Sequence, residues 1–185
     1  MTSLDRTALL VIDVQIGFDD PAWGIRNNPD CEANVVSLIA AWRAAGRPVV
    51  FVRHDSVLPQ SPLRPGLPGN ALRPQLGGEP DLLVTKNVSS AFLGSPDLHG
   101  WLQERDIGGV VVTGVQTNFC CETTARMAGN LGYDTIFVID ATHTFDLAAY
   151  GGGTITADEL ARVTATNLDG EFGTVVTTAD LLSDT

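Results

Sequence analysis

Short, almost wholly apolar runs alternate along the chain with stretches in which apolar positions recur at helical spacing. Residues 7–14, Thr-Ala-Leu-Leu-Val-Ile-Asp-Val, read as a strand covered on both faces. Similar runs at 48–53, 82–85, 107–113, 135–140 and 174–177 predict five further strands. Residues 31–45 place Val35, Leu38, Ile39 and Trp42 on one helical face, with Asp30 as N-cap and Gly46 as the stop. Helices are also predicted at 96–105, 119–131 and 157–168, with a short helical tail after the last strand. Strands alternating with amphipathic helices predict the α/β class: a three-layer domain with a mostly parallel six-stranded sheet and helices on both faces. No repeat or linker divides the chain, so residues 1–185 are expected to form one domain. The longest connection, 55–81, is rich in Pro and Gly yet carries Leu58, Leu63, Leu67 and Leu72. A loop of that length is expected to be a cover or a subunit contact.

Composition narrows the function classes. Twenty-two acidic against 11 basic residues give a net charge of −11, which opposes nucleic acid and anionic membrane surfaces as partners. No apolar run approaches the roughly 20 residues of a membrane span. Met1 to Asp5 carry no secretory pattern, so a cytoplasmic protein is the default expectation. Three cysteines, two of them adjacent, do not make a disulfide framework. On a helix, Cys120 and Cys121 would point about 100° apart. The first strand is not followed by Gly-x-Gly-x-x-Gly, which argues against a dinucleotide site.

Candidate chemistry converges on residues 110–132, where a β-branched strand breaks at Gly114 and a helix starts with Cys120 in its first turn. A helix N-terminus favours a thiolate. In open parallel sheets, ligands bind beyond the C-terminal strand ends. Asp13 ends the first strand, Lys86 ends the third and Cys120 follows the fourth, so all three are expected at one edge. There Cys120 would act as nucleophile, and Asp13 would take its proton and later pass it to a departing amine. Lys86 would orient Asp13, and backbone N–H groups of the turn 115–120 would form an oxyanion hole.

Three motifs then stand in order: Val11-Ile-Asp13-Val-Gln15-x-x-Phe18, Lys86 followed by Ser90-Ala-Phe92, and Gly114-Val-x-Thr117-x-x-Cys120 with Gly132-Tyr133. Together they resemble the isochorismatase-like cysteine hydrolase superfamily over nearly the whole chain. The resemblance implies a Rossmann-like sheet and an Asp–Lys–Cys triad at Asp13, Lys86 and Cys120. It also implies a cis Val115–Gln116 bond, with the amides of Gln116 and Cys120 as oxyanion donors. Two departures stand out. Cys121 replaces the usual aliphatic residue and is expected to face the core. Nicotinamidase members carry an Asp-x-His metal motif after the second strand, where this chain has Val52-Arg53-His54. His54, alone or with His143, falls short of a three-ligand catalytic site, so neither metal nor cofactor is expected. Members that cleave isochorismate lack the cysteine present here, which makes a vinyl-ether hydrolase the lesser branch.

The expected function is hydrolysis of a small-molecule C–N bond (amide, carbamoyl or ureido) through a thioester. Phe18, Trp23, Phe92 and Phe119 are the candidate apolar walls of the pocket, with Gln15 and His54 as polar contacts. The rivals are a non-catalytic partner subunit of the same fold and redox sensing through Cys120 and Cys121. Family members are commonly dimers or tetramers, so a homo-oligomer is expected.

Overall fold

In the computed structural model, which describes residues 4–183, six strands form one all-parallel sheet in the order β3-β2-β1-β4-β5-β8. They are β1 (Thr7–Ile12), β2 (Val49–His54), β3 (Leu82–Lys86), β4 (Gly109–Val115), β5 (Asp134–His143) and β8 (Thr174–Val176). A two-stranded hairpin, β6 (Leu147–Ala148) with β7 (Thr154–Ile155), stands apart from the sheet. Every residue of β1 and β4 is buried, which explains their unbroken apolar character.

Side-chain alternation divides the strands between two cores. Leu9 and Val11 of β1 join Val111, Val138 and the apolar face of α1 (Cys31–Ala44), with Leu181 of α5 (Thr178–Ser183). Ala8, Leu10 and Ile12 point the other way, toward α2 (Leu98–Glu104), α3 (Glu122–Asn130) and α4 (Ala157–Leu168). The three-layer expectation therefore holds. Among the described residues no helix is long and apolar enough to cross a membrane; Met1 to Ser3, part of the segment read for a secretory pattern, lie outside them.

Several boundaries differ from the sequence expectation in ways that bear on the site. The first strand stops at Ile12, and Asp13 follows it with φ +51. His54 and Lys86 lie within strands, as register partners of one another. The fifth strand runs on to His143, which is therefore a buried strand residue and not part of a loop. The helix expected at 119–131 opens instead as a π-helical turn, Thr117–Cys121, and becomes α-helical at Glu122. Asp30 occupies the N-cap position of α1 but its side chain makes no capping hydrogen bond.

Strand order reverses between β1 and β4, and the backbones approach closely there. Gly114 has φ +118, and a Cβ at this position would fall 2.0 Å from the carbonyl oxygen of Ile12. Only glycine meets both conditions. Gly114→Ala is predicted to lower unfolding stability by about 3 kcal/mol in urea titration. Wild-type stability would contradict so close an approach.

Candidate active site

The C-terminal strand ends bring four side chains to one point. Lys86 Nζ donates to Asp13 Oδ2 at 2.6 Å and to Cys120 Sγ at 3.3 Å, and lies 3.3 Å from His54 Nδ1. The Lys86 and Asp13 side chains are 0% and 1% exposed, so this is a buried ion pair. The other carboxylate oxygen, Asp13 Oδ1, is buried and has no hydrogen-bond partner among the described residues. One oxygen of Asp13, one ring nitrogen of His54 and Cys120 Sγ all lie within 4.8 Å of one another. Such a donor set would suit a divalent ion, but the Lys86 ammonium sits against all three groups and its charge opposes a metal there.

Burial dominates the electrostatics. It pushes the Asp13 carboxyl above its ordinary value, against the pull of the Lys86 charge. Burial also favours a neutral Lys86 amine, but the Asp13 charge and its hydrogen bond act against it and keep the ammonium above its usual value. Burial, reinforced by the Asp13 charge, pushes the Cys120 thiol up to about 12. The helix start therefore does not outweigh burial, and the thiol needs a base to take its proton. At rest the site holds a thiol beside a buried carboxylate. His54 is lowered, first by burial and then by the Lys86 charge, so its ring is neutral near pH 7.

A cavity of about 140 Å³ opens onto Cys120 and Asp13. Phe18, Trp23, Leu58, Leu63 and Phe119 form its apolar lining, and His54, Ser56, Ser61 and Gln116 its polar lining. Two larger hollows, about 320 and 250 Å³, lie outside the ring of Asp13, His54 and Cys120. The Val115–Gln116 peptide bond is cis, as the resemblance implied.

Phe18, Trp23, His54 and Phe119 thus line the cavity with the triad candidates. Gln15 and Phe92 do not. Gln15 is fully buried, its Nε2 donates to the carbonyls of His54 (3.1 Å) and Asn70 (2.8 Å), and its Oε1 accepts from the His54 N–H (2.9 Å). With both ends of its amide bonded to backbone, it is a clip between loops and not a substrate contact. Phe92 stacks on Tyr133 at 5.7 Å inside the second core. Cys121 is fully buried, with Sγ 3.8 Å from the Thr113 carbonyl, so it does face the core. Cys31 is buried in the other core, where burial pushes its thiol up.

Sequence reasoning missed the residues that hold the cover in place. Asn70 Nδ2 donates to the His54 carbonyl (3.1 Å), to Asp55 Oδ1 (3.0 Å) and to the Leu63 carbonyl (2.9 Å). Glu32 on α1 takes a two-pronged ion pair from Arg26 at 2.8 and 2.9 Å. Its Oε1 also lies 3.7 Å from Arg73 and 3.6 Å from His143 Nε2. An Asn amid prolines and glycines was the one available signal for the first of these.

The Isochorismatase domain family model matches residues 7–180. The chain belongs to the isochorismatase family. This isochorismatase-family hydrolase is 35% identical over 181 residues to the isochorismatase family protein YrdC of Bacillus subtilis (strain 168), covering 97% of this chain and 96% of that one. It is 35% identical over 187 residues to Nicotinamidase 3 of Arabidopsis thaliana, covering 91% and 83%. An isochorismatase-family crystal structure from Chromobacterium violaceum superposes with a TM-score of 0.93 at 41% identity, covering 99% and 95%.

The buried ion pair makes a stability prediction. Lys86→Met leaves the Asp13 charge unpaired and should cost about 3–5 kcal/mol in urea unfolding, whereas adding Asp13→Leu should restore part of that loss. A single variant as stable as wild type would contradict the pairing.

Proposed function

We propose that this isochorismatase-family hydrolase cleaves a C–N bond of a small amide, carbamoyl or ureido compound through a thioester on Cys120. One observation carries this reading. A buried carboxylate oxygen without a partner, Asp13 Oδ1, belongs to a carboxylate held beside a protonated thiol, and one ammonium contacts both groups. The relative named a nicotinamidase supports an amide bond. Nicotinamide itself is disfavoured by Val52 in place of the carboxylate of the Asp-x-His motif.

In the proposed sequence, Asp13 takes the Cys120 proton as Sγ attacks the carbonyl carbon, so no free thiolate is needed beforehand. The tetrahedral oxyanion is held by the N–H groups of Gln116 and Cys120. The C–N bond breaks, and the proton on Asp13 passes to the leaving nitrogen. Water then attacks the thioester and gives a proton to Asp13. Collapse releases the acid and returns a proton to Sγ. Lys86 keeps its proton throughout and offsets the negative charge on Asp13 and sulfur.

Ammonia release from a panel of small primary amides and ureido compounds tests the proposal. Wild type should act on at least one, with Cys120→Ala about 10³-fold slower or worse. Activity should fall as pH drops through the raised Asp13 value, because a protonated carboxyl accepts nothing. It should show no rise from thiol ionisation below about 12. Wild-type ammonia release by Cys120→Ala would sink the reading.

A further inference from the structure

His54 contacts the cluster but has no part in the steps above. Its backbone is pinned from both sides: its N–H donates to Gln15 Oε1 at 2.9 Å, and its carbonyl accepts from Gln15 Nε2 and Asn70 Nδ2, each at 3.1 Å. The backbone that carries the ring is therefore held by the side-chain amides of Gln15 and Asn70 at the end of a strand. Lys86 Nζ has three protons and three neighbours: Asp13 Oδ2, Cys120 Sγ and His54 Nδ1. An ammonium only donates, so His54 Nδ1 must present its lone pair. In a neutral ring the single proton then sits on Nε2. Among the described residues the His54 ring makes its hydrogen bond through Nδ1 and none through Nε2, and His54 lines the cavity over Cys120.

The rest of the lining limits what that donor meets. No Lys or Arg side chain is among the lining residues, whereas Asp13 is. Lys86, the cation in contact with His54 and Cys120, is already paired with Asp13. An anionic group entering this cavity would lose its water and gain no counter-charge. An uncharged oxygen or ring nitrogen would gain one hydrogen bond.

We propose that His54 is a specificity-determining residue, whose Nε2–H donates to an uncharged acceptor on the substrate and so selects small neutral amides carrying a second carbonyl, ether or ring-nitrogen acceptor. The substrate part of this inference rests on the C–N hydrolase reading; the tautomer does not. The Lys86 ammonium fixes the ring's proton on Nε2, so the residue that looks like an orphaned metal ligand works as a hydrogen-bond donor.

Three amides of matched length test the selection: butyramide without a second acceptor, acetoacetamide with a neutral one and succinamate with an anionic one. Wild type should favour acetoacetamide over butyramide by about tenfold in kcat/KM, mainly through KM, with succinamate poorest. His54→Gln, which keeps an N–H near the position of Nε2, should retain the preference. His54→Asn and His54→Ala should lose it. A preference unchanged in His54→Ala, or succinamate as the best substrate, would overturn the proposal.

Nitrogen-15 NMR of imidazole-labelled protein reads the same inference without turnover. The His54 ring should be the Nε2–H tautomer, and in Cys120→Ala its Nε2–H signal should move with acetoacetamide and not with butyramide. A proton on Nδ1, or an equal response to both amides, overturns it. Failure of all three amides as substrates beside that NMR pattern would count against the hydrolase reading and leave the His54 donor standing.

Discussion

A single buried ammonium holds the candidate site together. Lys86 lies at the end of β3, two strands from β1, and its side chain reaches past His54 of β2 to Asp13 and on to Cys120 beyond β4. An ion removed from water loses several kcal/mol of hydration unless its hydrogen bonds are replaced. Here each proton of the ammonium has an acceptor, and the acceptors come from three further strand ends. A long, flexible stem with a compact charge suits this task better than a planar guanidinium. The same arrangement explains why the thiol rests protonated. Its neighbours are a carboxylate and low-dielectric walls as well as the ammonium, and burial outweighs the single favourable charge.

Around this centre the loops are fastened by polar side chains bonded to backbone. Gln15 and Asn70 both grip the carbonyl of His54, so the two covering segments meet at the strand end that faces the cavity. Phe18, Trp23 and Phe145 stack on one another at centroid distances of 5.1 to 6.3 Å, and the Trp23 indole N–H donates to the Gly17 carbonyl at 2.9 Å. Two of these rings line the cavity, so its shape depends on a small aromatic cluster as much as on the sheet. Glu32 extends the fastening to α1 through its two-pronged pair with Arg26.

Much of this was legible in the chain because buried parallel strands leave a plain signature. The runs containing Leu9–Ile12 and Val110–Val112 are apolar on both faces, and their ends, with that of the run beginning at Leu82, place Asp13, Cys120 and Lys86 at one edge. What failed had a common cause: type and spacing do not reveal a partner. Gln15 looked like a pocket polar group, but its partners are backbone groups up to 55 residues away. Phe92 looked like a wall because it is aromatic beside a motif, yet Tyr133 takes its face. The β6–β7 hairpin has two residues per strand, too few to show alternation. The thiol's raised pKa follows from burial, which no local pattern measures.

In the proposed reaction Cys120, and not its neighbour Cys121, carries the acyl group during turnover. Acid quenching during steady-state turnover of the best amide, followed by intact-mass and peptide-mass measurement, tests it most directly. A mass increase equal to the acyl portion is expected, confined to Cys120, decaying when substrate is exhausted and absent from Asp13→Asn. Turnover in which rapid-quench sampling finds no adduct at any time, or an adduct on Cys121, would contradict it.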